Sequence, residues 1–130
     1  MVESVQEYVP GVCNIGKAEM RRRWVIGRNA LILTLILWGA CIALNIAPAW
    51  RLLLFFPASV AAIGFLQHAW HFCARFGLGG VFNLGPNVGK TDTIEQAVYR
   101  QKDRRTALEI IGLSVFVGAA VAAAAYFIPL

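Results

Sequence analysis

Cysteine is scarce in this chain, and what there is excludes a disulfide scaffold. The 130 residues contain three cysteines, Cys13, Cys41 and Cys73, an odd number at irregular spacing that gives no disulfide framework. Histidine is scarcer still, with only His68 and His71, and their spacing from the cysteines matches no zinc pattern. No Ser–His–acid arrangement is visible. The stretch Gly85-Pro86-Asn87-Val88-Gly89-Lys90-Thr91 ends like a phosphate-binding loop, but Leu84 stands where the first glycine of G-x-x-x-x-G-K-T belongs. No cleavable leader is expected: the first apolar run starts too late and is too long for one, and Ala47-Pro48-Ala49 reads as a turn. Acidic residues are few, seven Asp and Glu against twelve Lys and Arg, for a net charge of +5. Nothing interleaves aromatic with basic residues as single-strand binders do, so no nucleic-acid partner is expected.

Apolar residues are abundant. Hydrophobic side chains make up 58% of the chain and mean hydropathy is +0.62, too apolar for a soluble domain of this length. Three runs carry the excess, residues 30–46, 52–66 and 107–130. Of the basic residues, only Arg51 lies in the turn between the first two runs. Lys17, Arg21, Arg22, Arg23 and Arg28 precede the first, and Arg75, Lys90, Arg100, Lys102, Arg104 and Arg105 lie between the second and third. Short loops rich in Lys and Arg stay cytoplasmic. The expected fold is therefore an all-α integral membrane protein with three transmembrane helices, an antiparallel hairpin plus a third helix. The expected location is a bacterial-type inner (plasma) membrane, with the N-terminus cytoplasmic and the C-terminus outside. Basic residues near the surface add attraction to anionic headgroups, roughly 1 kcal/mol each.

The chain divides into a cytoplasmic N-terminal tail (1–16), a transmembrane hairpin (17–76), a Gly-rich cytoplasmic loop (77–92), and a surface helix leading into the third span (93–130). The tail, with Pro10, Gly11 and Gly16, reads as a surface loop. A helix from Lys17 to about Ile46 would be roughly 43 Å long, longer than a ~30 Å hydrocarbon core, so its basic first turns protrude. Trp50 and Arg51 mark the outer interface, and Pro57 is expected to kink the second span. Gly77, Gly79, Gly80, Gly85, Pro86 and Gly89 break regular structure. Asp92 and Glu95 form a capping-box-like start to a short amphipathic cytoplasmic segment. Glu109 lies one turn after Arg105, at ion-pair spacing. Ser114, Gly118 and Ala122 recur every four residues, a spacing that lets helices approach closely in lipid. Either a partner subunit or the chain's own hairpin fits that stripe.

Residues able to carry chemistry gather at the cytoplasmic end of the second span: Gln67, His68, His71, Cys73 and Arg75, with Asn14 and Cys13 before the first span and Asn83 in the loop. His68 and His71, three apart, would share a helical face, and with a cysteine they would suit zinc or copper, so metal or haem is one reading. Cys73 lies between His71 and Arg75, and Cys13 lies near Lys17. Cations beside a thiol favour the thiolate, so a cytoplasmic-face thiol or sulfur relay is a second reading. The leading reading is a non-enzymatic structural or accessory subunit, packed in a homo-oligomer or a larger membrane complex and surrounded by membrane lipids. The sequence specifies no cofactor.

The segment Asn14-Ile15-Gly16-Lys17-Ala18-Glu19-Met20-Arg21-Arg22, with Phe72-Cys73 and Gly77-Leu78-Gly79 after the second run, resembles the YgaP-like small inner-membrane family, the rhodanese-associated transmembrane domains. The likeness covers roughly residues 13–85. It implies a two-helix hairpin, and because some members are joined to a rhodanese domain, it implies a link to sulfur handling. Two features depart from that pattern: the family's Cys-Pro is Cys73-Ala74 here, and a third span is added.

Overall fold

The computed structural model describes residues 7–128. Its elements in chain order are α1 (Lys17–Ala43), α2 (Pro48–Arg51), a 3₁₀ turn (Leu52–Leu54), α3 (Phe55–Trp70), α4 (Ala74–Gly79), β1 (Val81–Phe82), β2 (Asp92–Thr93) and α5 (Ala97–Phe127). Three rods, Lys17–Ala43, Pro48–Trp70 and Ala97–Phe127, are long and apolar enough to cross a membrane. They pack together, with α3 touching α1 on one side and α5 on the other. The chain is thus a small multi-pass membrane protein.

Several rod ends follow from local chemistry. Pro48 occupies the first turn of α2, where its missing N–H costs nothing. Pro57 then leaves the Leu53 carbonyl without its helical partner, and the chain tightens into the 3₁₀ turn over Leu52–Leu54. α3 ends where His71 turns left-handed (φ 55°). Two hydroxyls within the rods bond back along their own helices, whereas the buried Ser59 hydroxyl of α3 has no partner among the described residues. Thr34 Oγ1 donates to the Ala30 carbonyl (2.7 Å) and Ser114 Oγ to that of Ile110 (2.8 Å).

Glycines set the two helix crossings. A Cβ on Gly64 of α3 would stand 2.6 Å from the Gly27 nitrogen of α1. A Cβ on Gly118 of α5 would overlap the Ser59 hydroxyl and lie 2.9 Å from the Phe55 carbonyl oxygen of α3. Ser114, Gly118 and Ala122 are all buried, so the small-residue stripe seats α5 on the chain's own hairpin. The large side chains of the outward faces, such as Leu35, Ile36, Phe56 and Phe116, remain exposed. That exposure suits a lipid surround.

The ends of the bundle differ from the sequence-based expectation in several places. Residues 7–16 are no free tail. Tyr8 Oη donates to Asp103 Oδ2 (2.7 Å) and the Gly11 N–H to Asp103 Oδ1 (2.6 Å). Thr106 Oγ1 donates back to the Gly11 carbonyl (2.7 Å), and Tyr8 stacks on Phe82 with ring centroids 5.0 Å apart. Residues 1–6 of the expected tail lie outside the described residues. The segment 77–92 is not wholly loop, because Gly77 and Gly79 lie within α4, which Gly80 ends, and β1 pairs antiparallel with β2.

The last helix starts at Ala97, and no side chain caps it. Asp92 cannot serve as its cap because it pairs with Phe82 in the ladder, while Ile94 is buried with its N–H on the Gly80 carbonyl (2.9 Å). Arg100 instead donates to the Ile94 and Glu95 carbonyls (2.7 and 2.8 Å). From Ala97 the helix runs unbroken into the third rod. Arg105 and Glu109 both lie exposed on it.

At the far end Arg51 is buried. Its Nη1 donates to the carbonyls of Ala125 (3.0 Å) and Ile128 (3.1 Å), and its Nε to that of Ile46 (3.0 Å). A cation at the C-terminal carbonyls of α5 is favoured both by the free acceptors and by the helix dipole.

Candidate functional site: a buried polar node at the basic end

The node starts from Asn14. Its side-chain amide clasps the backbone of Cys73 from both sides. Nδ2 donates to the Cys73 carbonyl (3.1 Å), and the Cys73 N–H donates to Oδ1 (2.7 Å). The Asn14 main chain continues the stitch, with its N–H on the His71 carbonyl (3.2 Å) and its carbonyl accepting from the Asn83 N–H (2.9 Å). Three segments far apart in sequence therefore meet there. Gln67 closes the turn after α3, its Oε1 accepting from the Ala74 N–H (2.8 Å).

Glu19, in the first turn of α1, forms the charged half. It is fully buried, near the end of the helix that favours an anion. Its Oε2 accepts from Asn83 Nδ2 (2.8 Å) and from the Gly89 N–H (2.6 Å). Its Oε1 accepts from Arg23 Nη1, one turn on. The other guanidinium nitrogen of Arg23, Nη2, donates to Cys73 Sγ (2.8 Å). The guanidinium carbon lies 5.3 Å from the Phe76 ring centroid, a cation–π distance. Carboxylate, guanidinium and sulfur thus form one line from α1 to the start of α4.

The structure gathers Asn14, Gln67, Cys73 and Asn83, and leaves the other candidates apart. Arg75 is exposed. His68 contacts the Met20 carbonyl through Nδ1 (3.2 Å). His71 is exposed beyond the helix end in its left-handed turn, so the helical face expected for the two histidines does not exist. Among the described residues, no group of three or more His, Cys, Asp or Glu is placed to hold a metal ion.

The three cysteines are free. Cys73 is 1% exposed. Cys13 is half-buried, its thiol donating to the Ile15 carbonyl at 3.6 Å, and burial pushes that thiol above its ordinary value. Cys41 lies half-buried on α1.

Sequence reasoning missed Glu19 and Arg23 as members of the node. The signal was present: Glu19 is the one acidic residue in the basic stretch 17–28, and Arg23 follows at i+4. No known protein family, curated protein or solved structure matches this chain.

Proposed function

We propose that this chain is a non-enzymatic structural or accessory subunit of a bacterial-type inner membrane, packed in a homo-oligomer or a larger membrane complex, with its N-terminus cytoplasmic and its C-terminus outside. The observation that carries this reading is how the polar end uses its reactive side chains. Glu19, Arg23, Asn14 and Asn83 bond to one another and to the backbone, and the Cys73 sulfur is enclosed among them. Such an arrangement locks segments together and presents no open nucleophile–base pair. The orientation draws on the basic residues gathered at one end.

The test is sizing in mild detergent, together with cross-linking in intact native membranes. The reading expects a species larger than one chain, or a reproducible cross-linked neighbour. A single-chain mass with no neighbour defeats it. Because Gly118 faces α3 of its own chain, Gly118→Leu reports on the internal bundle and not on assembly. A tag after the last helix, reachable by protease only from outside intact cells, supports the orientation, and cleavage from the cytosolic side reverses it.

One observation favours a second reading, a sulfur relay at the same end using Cys73 and Cys13. The Arg23 guanidinium lies against Cys73 Sγ, the kind of electropositive contact found at reactive thiols. The resemblance to rhodanese-associated membrane domains points the same way. This reading expects Cys73 to be isolated persulfidated, or to alkylate quickly at neutral pH. Equal, slow labelling of both cysteines removes it.

A further inference from the structure

Beside the node, an open cleft of about 780 Å³ runs between the rods. Three helices contribute one isoleucine each to its apolar part, Ile26 from α1, Ile63 from α3 and Ile111 from α5. Its polar mouth carries three guanidinium groups, from Arg22, Arg23 and Arg75. Arg22 and Arg75 are exposed, whereas Arg23 is held by Glu19 and Cys73. No Asp or Glu lines the cleft. Along α1, Ile26 lies one turn, about 6 Å, further into the rod than Arg22. Along α1 the cationic and apolar linings are therefore stacked on the helix axis; Phe76, Leu78 and Val81 add apolar surface beside Arg75, and the three isoleucines belong to segments able to lie in the hydrocarbon.

We propose that this cleft binds one anionic phospholipid, with its phosphate between Arg22 and Arg75 and an acyl chain against Ile26, Ile63 and Ile111. Charge and layering together select this ligand. A free phosphate would satisfy the arginines and leave the isoleucines uncovered. A zwitterionic lipid would cover the isoleucines and bring its own cation to the arginines. Basic pockets between helices at a membrane interface bind anionic headgroups on this basis. Glu19 pairs with Arg23, so the site's unpaired positive charge comes from Arg22 and Arg75. The inference depends on membrane insertion and not on the assembly reading.

The test reconstitutes the full chain into nanodiscs of phosphatidylcholine with a minor fraction of phosphatidylglycerol. Native mass spectrometry then counts the lipid kept on release into detergent. Wild type is expected to retain one phosphatidylglycerol per chain. The double variant Arg22→Gln/Arg75→Gln should lower that retention on the order of tenfold. Arg21→Gln/Arg28→Gln removes the same charge at exposed positions outside the cleft and should leave retention unchanged. Ile26→Trp alters no charge but fills the apolar channel, and it should displace the lipid even if the arginine variant folds poorly. Four results overturn the proposal: no retained phosphatidylglycerol on wild type, equal loss from both arginine pairs, full retention by Ile26→Trp, or glycerol phosphate in detergent solution competing as strongly as the whole lipid.

Discussion

Gly27 and Gly64 meet backbone to backbone where α1 crosses α3. A Cβ on Gly64 would lie 2.7 Å from the Gly27 Cα and 2.8 Å from the Arg23 carbonyl oxygen. No side-chain rotation relieves such a contact, because both neighbours are main chain. Gly64→Ala should force the helices apart and cost about 1–3 kcal/mol, the usual penalty for overpacking, read as a lower midpoint in thermal or denaturant unfolding in detergent. Gly39 on the same helix as Gly27 has open space around its would-be Cβ. Gly39→Ala should therefore leave the midpoint unchanged or raise it, by up to about 1 kcal/mol. If the two substitutions behave alike, the close crossing is wrong.

The pair Glu19–Arg23 should behave as a buried ion pair. Removing one partner strands the other charge, at a cost of about 3–5 kcal/mol. Glu19→Gln and Arg23→Met are each expected to destabilise strongly, and the double substitution by clearly less than their sum. A double-mutant cycle on the unfolding midpoints measures this, and additive losses would show that the two side chains act independently.

Asp103 holds the N-terminal segment on α5. Asp103→Ala leaves the Tyr8 hydroxyl and the Gly11 N–H without their acceptor, and each such loss costs about 1–3 kcal/mol where the group stays buried. Hydrogen exchange at residues 8–13 should accelerate in the variant while exchange within α3 does not. Uniform acceleration through the molecule, or none, contradicts the docking. Burial and the Asp103 carboxylate push the Tyr8 hydroxyl above the ordinary tyrosine range. By linkage, the contact is intact below the ordinary tyrosine value and is lost only as pH climbs toward the raised one.

Cys13 should label slowly at neutral pH. Burial holds its thiol above the ordinary cysteine range, so less thiolate is present near pH 7 than on a free cysteine. Raising the pH should speed maleimide or iodoacetamide labelling more steeply, and to a higher pH, than it does for a free thiol. Mass-spectrometric site mapping checks this, and fast neutral labelling at Cys13 refutes it.

The spans were legible because lipid imposes its signature locally: a rod such as Ile32 to Ala43 contains no charge, and no partner elsewhere is needed to read it. The partition of Gly118 was half legible. Its spacing announces a close contact but does not say whose helix arrives. The node was harder to read. Asn14 and Cys73 stand 59 residues apart and Tyr8 and Asp103 95 apart, and hydrogen bonds across such separations leave no period in the sequence. Asp92 shows local grammar losing to tertiary contacts. A good capping residue was drawn into a two-residue ladder, and the helix began five residues later, at Ala97, without a side-chain cap.

The lone arginine at the far end has a consequence for biogenesis. Arg51 emerges from the ribosome with the first hairpin, yet two of its three acceptors, on Ala125 and Ile128, lie 74 and 77 residues downstream. Until the last helix has threaded across the bilayer, that guanidinium must remain hydrated or reach for headgroups. Insertion of α5 thus supplies two of the acceptors that take this charge out of water.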